Sequence, residues 1–265
     1  MLPTIQIWNR TIAMYGLFIM IGVMLGVFIA AVRSKKYNIS REDVLFASCY
    51  AGIGLIIGAK LLYIITILPE LYDYRQQIFS DPSLLLPIIT GGFVFYGGLI
   101  GAVIGYYLYC RQYKISFIDL LDLMTPSVPL LHGFGRLGCF FAGCCYGIPY
   151  KGPLHIVFHK STAAPNDVPL LPIQLIESCF NFIICILLFL LMKRFHRHGQ
   201  ALGFYLIYYS LMRFILEYFR GDIVRGFLLG ISTSQWISLL LLPIGFMLYN
   251  GIKLPGISSG KQKDG

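Results

Sequence analysis

Three charged residues recur at helical spacing inside an apolar stretch near the C-terminus. Arg213, Glu217 and Arg220 are four and three positions apart, so a helix would place all three on one face. An ionised side chain in hydrocarbon costs at least ~2.5 kcal/mol, and such residues are functional or paired. Glu217 can neutralise one arginine and leave the other with a net positive charge. Two explanations stay open, a salt bridge between helices and an anion site, and Arg220 near Asp222 fits the anion site better.

A third candidate arginine lies in a glycine-rich run between His132 and Cys139. Arg136 stands among three glycines, and its neighbours Gly135 and Gly138 are the closest on either side. Glycine allows a ligand to approach the backbone and exposes amide N–H groups to an anion, while arginine binds phosphate through two parallel hydrogen bonds. This combination predicts a phosphate site at Arg136, with Gly135 and Gly138 as backbone contacts. A hinge at a helix break is the alternative.

Polar residues in other apolar runs could line the same site. Tyr96 precedes Gly97 and Gly98, and the paired glycines would leave a slot beside the phenol. A tyrosine at the membrane interface is the alternative explanation. The same alternative applies to Tyr15 in the first apolar run. Gln174 and Glu177 are further polar candidates, each of which could also simply pair helices.

Three cysteines follow Arg136 closely. Cys139, Cys144 and Cys145 with His132 do not have the CxxC spacing of common zinc sites, and adjacent cysteines rarely bind one zinc. The spacing therefore predicts no metal and no cofactor. A disulfide on the outer face and a simple packing role both stay open.

The composition requires a membrane protein. Of 265 residues, 57% are hydrophobic and only 12% are charged, against about 25% in soluble domains. Mean hydropathy is +0.73. These values exclude a soluble two-domain enzyme and predict an all-α polytopic membrane protein of about seven helices. The apolar runs cover residues 12–32, 44–68, 85–109, 117–133, 171–192, 202–219 and 232–250.

The loop charges predict the orientation. The net charge is +9, and most loop lysines and arginines follow the first, third, fifth and seventh runs. The positive-inside rule then places the N-terminus outside and the C-terminus in the cytoplasm. The basic residues do not form a stripe, so we expect no nucleic-acid partner. We predict one membrane domain over 1–257 with a folded outer-face arm at about 134–170, and a polar cytoplasmic tail over 258–265.

At these residues the sequence resembles the bacterial prolipoprotein diacylglyceryl transferases. The resemblance spans nearly the whole chain, and the order and spacing of the pieces make it specific. The matching pieces are Tyr15–Gly16, Gly97–Gly101, Asp122–Pro126, Gly135–Gly138 with Gly143 and Gly147, Pro172–Leu175 with Glu177, and Arg213–Arg220.

The resemblance implies an enzyme of the bacterial inner membrane, with its active site toward the outer face. Its substrates would be phosphatidylglycerol and the lipobox cysteine of preprolipoprotein signal peptides. The enzyme would transfer diacylglyceryl to the cysteine thiol, forming a thioether and releasing glycerol phosphate, in the first step of lipoprotein maturation. No cofactor is implied.

Residue roles follow from combining the resemblance with the chemistry of the side chains. Arg136 and Arg220 are expected to be catalytic, since they would bind the lipid phosphate and stabilise the leaving group. Tyr96 is a candidate proton relay. The expected substrate-binding residues are Tyr15, Gly97, Gly98, Gly135, Gly138, Gln174, Glu177, Arg213, Glu217 and Asp222.

The chain departs from the common family pattern at three positions. Tyr96 stands where the family commonly has histidine, Cys139 where it has asparagine, and Cys144 where it has glutamate. Two alternatives to the transferase therefore stay open. One is a protein that binds or transports anionic lipid without catalysis, and the other is a divergent paralogue that uses its own cysteines.

Overall fold

The computed structural model describes residues 4–7, 10–81, 83, 91–159, 161, 163–222 and 226–251. The chain divides into two compact units. The first comprises residues 1–37 and 118–265, and the second comprises residues 38–117. The predicted tail over 258–265 lies outside the described residues.

The described residues of the first unit form six α-helices and three short antiparallel strand pairs. The helices are α1 (Met14–Arg33), α5 (Phe117–Met124), α6 (Ser127–Ala142), α7 (Ile173–Leu191), α8 (Gln200–Leu216) and α9 (Thr233–Tyr249). The strands are β1 (Thr4–Ile7), β2 (Arg10–Ala13), β3 (Ile156–Val157), β4 (Pro169–Leu170), β5 (Phe227–Leu228) and β6 (Ile231–Ser232). The 3₁₀ turns Ser34–Tyr37 and Glu217–Phe219 extend α1 and α8.

The second unit is a pair of long helices with a short one. These are α2 (Arg41–Asp73), α3 (Arg75–Ser80) and α4 (Phe95–Tyr113). Ser40 begins α2 with a capping box, in which its side chain accepts a hydrogen bond from the Asp43 amide. The mostly helical secondary structure agrees with the predicted helical class, to which the three short strand pairs are an addition.

Three described helices are long and apolar enough to cross a membrane. They are Met14–Tyr37, Arg41–Asp73 and Ile173–Leu191. Thr233–Tyr249 is apolar but shorter. The total number of spans and the orientation of the termini stay predictions.

Glycines bring α2 and α4 into backbone contact. A Cβ at Gly54 or Gly58 would overlap the carbonyl oxygen of Gly101 or Gly97, and a Cβ at Gly101 would overlap the carbonyl of Gly54. In lipid, helices associate through such close packing rather than through the hydrophobic effect.

The glycine-rich run around Arg136 does not break a helix. α6 continues through Gly135 and Gly138 and ends at Gly143, whose φ of +73° is the left-handed conformation typical of a helix end. A Cβ at Gly138 would lie 3.1 Å from the Cα of Tyr15. The predicted open, anion-binding backbone at Gly135 and Gly138 is therefore wrong, because these glycines allow α6 to pack against α1.

The segment after α6 is folded, and it begins later than residue 134. Residues up to 142 belong to α6, so the arm starts at Gly143. The strand pair β3–β4 organises the arm around a buried cluster of Phe158, Ala164 and Leu170. Backbone hydrogen bonds from Tyr150 to Pro169 and from Leu171 to Ile148 connect its two ends.

Candidate active site

Glu177 joins two arginines from different helices. Its side chain, only 3% exposed, projects from α7 and forms an ion pair with Nε of Arg136 on α6. Its second carboxylate oxygen accepts a hydrogen bond of 2.9 Å from Nη1 of Arg213 on α8. A buried carboxylate with charge-assisted bonds to two guanidinium groups fixes the relative positions of three helices.

Arg213 extends the same network toward the end of α8. Its Nη2 lies 2.9 Å from Oε2 of Glu217 and donates to the Ser234 hydroxyl of α9 at 3.0 Å. Glu217 also faces Arg220, with 3.9 Å between its Oε2 and the arginine Nη1. Arg213 and Glu217 pair as their helical spacing predicts, whereas α8 ends at Leu216 and Arg220 is extended, so Arg220 faces Glu217 from beyond the helix. Arg136 and Arg220 are thereby linked through one continuous set of ion pairs.

Arg220 has a carboxylate partner of its own. Its Nε and Nη2 donate to the two oxygens of Asp222 at 3.1 and 2.7 Å, a bidentate pair. The Asp222 side chain is 21% exposed, compared with 3% for Glu177 and Glu217. Asp222 is therefore the most accessible carboxylate of the network.

Backbone pairing positions Arg220. The Gly221 amide donates to the carbonyl of Tyr146 at 2.9 Å, and the Ile148 amide donates to the carbonyl of Phe219 at 3.0 Å. Gly147 and Arg220 face each other in this pairing, and a Cβ at Gly221 would overlap the Gly147 carbonyl. The start of the arm and the end of α8 are thus held together by glycines at their closest approach.

The described network is formally neutral. Three guanidinium groups, from Arg136, Arg213 and Arg220, face the carboxylates of Glu177, Glu217 and Asp222. The expectation that one arginine keeps an uncompensated charge is wrong. The tertiary fold supplies two further carboxylates, from Glu177 and Asp222.

Arg136 and Gln174 bring two kinds of polar group to this region. Arg136 pairs with Glu177 through Nε, the one ion pair that it forms with a described residue, and its side chain is 13% exposed. Gln174, 1% exposed, donates from Nε2 to the Cys144 carbonyl at 2.9 Å, while its Oε1 has no partner in the described part of the chain. Donors on Arg136 and an acceptor on Gln174 suit a phosphodiester that carries hydroxyl groups.

Tyr15 lies in the first unit, close to this network. It packs on Gly138, and its electrostatic neighbours include Arg136, Cys139 and Cys144. Its side chain remains 46% exposed. The structure therefore brings Tyr15 together with Arg136, as the predicted substrate-positioning role requires.

Tyr96, Gly97 and Gly98 belong to the second unit. Tyr96 is 37% exposed and packs edge-on against Phe95. Gly97 and Gly98 are buried against α2, where Cβ atoms would meet Gly58 and Leu55. The sequence predicts an open slot beside these glycines, but α2 occupies that space. The substrate-binding role of the two glycines stays a prediction.

The three cysteines after Arg136 converge. The sulfur atoms of Cys139, Cys144 and Cys145 lie within 4.8 Å of one another. Cys139 is buried, and Cys144 and Cys145 are partly buried. Cys145 has a φ of +55°, a left-handed conformation that is uncommon outside glycine.

One pocket among the described residues is apolar. It has a volume of about 480 Å³ and is lined by arm residues and by Leu175, Cys179 and Ile183 of α7. Helical periodicity places these residues on the face of α7 opposite Glu177. This pocket therefore differs from the ion-lined cavity that the sequence predicts.

Some polar residues of the site escape sequence analysis. Ser234 contacts Arg213. Asn181, one turn after Glu177, donates from Nδ2 to the Glu177 carbonyl at 2.7 Å, and its Oδ1 has no partner within the described ranges. The sequence could have indicated Asn181 through its position four residues after Glu177 on an apolar helix.

The family model for prolipoprotein diacylglyceryl transferase matches residues 3–250. The chain belongs to this family. A relative from Clostridium tetani (strain Massachusetts / E88), named phosphatidylglycerol–prolipoprotein diacylglyceryl transferase, is 39% identical over 92% of this chain and 95% of its own. A protein from Clostridium perfringens (strain 13 / Type A), with the same name and the number 2, is 35% identical over 95% of both chains. A Rickettsia felis relative is 33% identical over 89% of this chain.

Membership of the family confirms the resemblance seen in the motifs. The family match includes all residues of the ion network as well as Tyr15 and Tyr96. Together with the apolar helices, it identifies a membrane protein of the transferase class.

Proposed function

We propose that this protein transfers diacylglyceryl from phosphatidylglycerol to the thiol of a lipobox cysteine in a preprolipoprotein. The reaction forms a thioether and releases glycerol phosphate, the first step of lipoprotein maturation. The relatives named for this activity align over nearly the whole chain. The observation that carries the assignment for these particular residues is that one continuous network of ion pairs joins Arg136 and Arg220.

The headgroup phosphate binds between Arg136 and Arg220. Arg136 supplies its terminal Nη donors, and Glu177 keeps its guanidinium in place. At Arg220 the phosphate replaces Asp222, because a phosphodiester presents two oxygens to a guanidinium in the same bidentate way as a carboxylate does. The greater exposure of Asp222 supports this exchange.

The same arginines act on the leaving group. When the thiolate attacks the glyceryl carbon, the C–O bond to phosphate breaks and negative charge grows on the phosphate oxygens. Guanidinium groups positioned in advance stabilise that charge without reorganising. Arg213 does not contact substrate in this account; it holds Glu177 and Glu217, which position the other two arginines.

The remaining candidates orient the substrates. Gln174 Oε1 accepts a hydrogen bond from a glycerol hydroxyl, and Tyr15 borders the headgroup site. Gly97 and Gly98 support the helix that carries Tyr96. A phenol ordinarily has a pKa of ~10 and is a weak base at neutral pH, so Tyr96 orients the peptide or relays a proton.

The chain spans the bacterial inner membrane about seven times, with the N-terminus outside and the C-terminus in the cytoplasm. The charge distribution of the loops supports this orientation. The arm after α6 then lies at the outer face beside Arg220, where exported precursors present their lipobox cysteine.

Product formation tests the proposal. Purified full-length protein is incubated with phosphatidylglycerol vesicles and a lipobox peptide, and mass spectrometry follows the peptide. The expected product carries one diacylglyceryl group, and a peptide with serine in place of the cysteine remains unmodified. Binding of both substrates without this mass gain would contradict the transferase and favour an anionic-lipid binding or transport protein.

A further inference from the structure

We propose that Cys139, Cys144 and Cys145 bind one zinc ion through three thiolates, and that its fourth coordination position accepts the substrate thiol. The second part rests on the proposed transferase function. The inference departs from the expectation, drawn from spacing alone, that the cysteines bind no metal.

The geometry of the three sulfurs supports a zinc site. All three lie within 4.8 Å of one another. Zinc–sulfur bonds of about 2.3 Å place the sulfurs of a tetrahedral site about 3.8 Å apart, so small side-chain rotations complete the site. Sites with three protein ligands and one open position are typical of catalytic zinc.

The backbone explains how two adjacent cysteines share one site. Cys139 lies in the last turn of α6, and the chain reverses at Gly143 with φ +73°. Cys145 then adopts φ +55°, which brings its sulfur back beside those of Cys139 and Cys144. Left-handed backbone at a residue other than glycine costs about 1 kcal/mol or more and clusters at functional sites. Gln174 fixes this turn through the Cys144 carbonyl.

The charges around the cluster favour a bound metal thiolate. Zinc binding displaces the three thiol protons to water, and the resulting Zn(SR)₃ unit carries one net negative charge. Arg136 and Arg220 are both electrostatic neighbours of Cys145. A compact anion next to two guanidinium groups is stabilised by them.

The zinc site provides a way to deprotonate the substrate thiol, which the proposed reaction requires. The lipobox cysteine must react as a thiolate, and a thiol that coordinates zinc is deprotonated outright. The phenol of Tyr96 is a weak base for the same task. A thiol bound at the fourth position would lie beside Arg136, which binds the phosphate of the lipid that it attacks.

Metal content gives the first test. Full-length protein is purified in detergent under reducing conditions and dialysed against buffered zinc, and bound zinc is measured by mass spectrometry of the elements. We expect about one zinc per chain, lost in Cys144→Ser and in Cys145→Ser but kept in the Cys49→Ser/Cys179→Ser double variant, whose two cysteines are exposed. Zinc content that is the same in all these proteins would overturn the site.

Thiol protection covers the case in which a variant does not fold. In the wild-type chain, zinc should protect the three clustered thiols from maleimide, while the exposed Cys49 and Cys179 stay reactive. Alkylation of all three clustered thiols at the same rate with and without zinc would overturn the proposal.

Cobalt substitution tests the fourth position. The Co²⁺-loaded protein should show thiolate charge-transfer absorption that changes when the lipobox peptide is added, but not when its serine analogue is added. An unchanged spectrum would overturn the role of the substrate thiol. Product formation by metal-free protein would contradict this inference alone, whereas a zinc-loaded protein that makes no product would contradict the proposed function.

Discussion

The two units of the chain hold their helices together in different ways. In the second unit, α2 and α4 meet through glycines whose backbones touch. In the first unit, α6, α7 and α8 are joined by Glu177 between Arg136 and Arg213. Small residues are sufficient for helix association in lipid, so buried ions are not needed for that purpose. The difference is in keeping with the proposed role of the ionic network in substrate binding.

Removal of the Glu177 carboxylate from the ionic network should have the largest effect on stability. Glu177→Gln leaves Arg136 and Arg213 without their shared counter-charge, and breaking a buried ion pair from one side costs about 3–5 kcal/mol. The free energy of unfolding in detergent measures the loss. Glu42→Gln, at an exposed position, should change it by less than ~0.5 kcal/mol. A similar small change for both variants would show that the network is not coupled.

Substitution of Arg136, the proposed phosphate ligand, should reduce turnover. Arg136→Lys keeps the charge but loses the planar arrangement of donors, and we expect kcat to fall on the order of 10²-fold. Steady-state kinetics with phosphatidylglycerol measures it. The exposed Arg111→Lys is the matched control and should retain activity. Full activity of Arg136→Lys would exclude bidentate phosphate binding there.

Two glycine-to-alanine substitutions in the second unit should have opposite effects on stability. Gly101→Ala places a methyl group against the Gly54 carbonyl and should lower stability by about 1–3 kcal/mol. Gly52→Ala, with no atom within 4 Å of the new Cβ, should be neutral or stabilise α2 by up to about 1 kcal/mol. The thermal unfolding of both variants measures these changes in stability. Equal destabilisation would mean that α2 and α4 do not pack through this face.

The smallest expected effect concerns the exposed carboxylate of the network. Asp222→Asn weakens the competitor for Arg220, so KM for phosphatidylglycerol should fall by up to about fivefold, in line with the ~0.2–1 kcal/mol of an accessible ion pair. Asp81→Asn, in the second unit, serves as control. A raised KM would indicate that Asp222 positions Arg220 for the lipid instead of competing with it.

Sequence patterns predicted local features better than tertiary ones. Helical spacing correctly indicated the pairing of Arg213 with Glu217, but the helix ends before Arg220, whose backbone is extended. The continuation of α6 past Gly138 was missed because glycine permits both a break and a close helix contact. The neutrality of the network depends on Glu177 from another helix, and no local pattern contains that information.

The cysteines show the same limit. Their spacing along the chain argued against a shared site, yet a reversal at Gly143 and the left-handed Cys145 bring the three sulfurs together. The backbone conformations of Gly143 and Cys145 therefore determine that the three sulfurs lie together. Spacing rules such as CxxC describe the commonest turns and do not cover this one.

A double-mutant cycle on Arg136→Lys and Arg220→Lys tests most directly whether the two arginines bind one phosphate. The quantity is kcat/KM for transfer from phosphatidylglycerol to a lipobox peptide, with the diacylglyceryl peptide measured by mass. Residues that share one ligand are non-additive, so we expect a coupling energy of about 1 kcal/mol or more. Losses that add within ~0.5 kcal/mol would contradict a shared phosphate site.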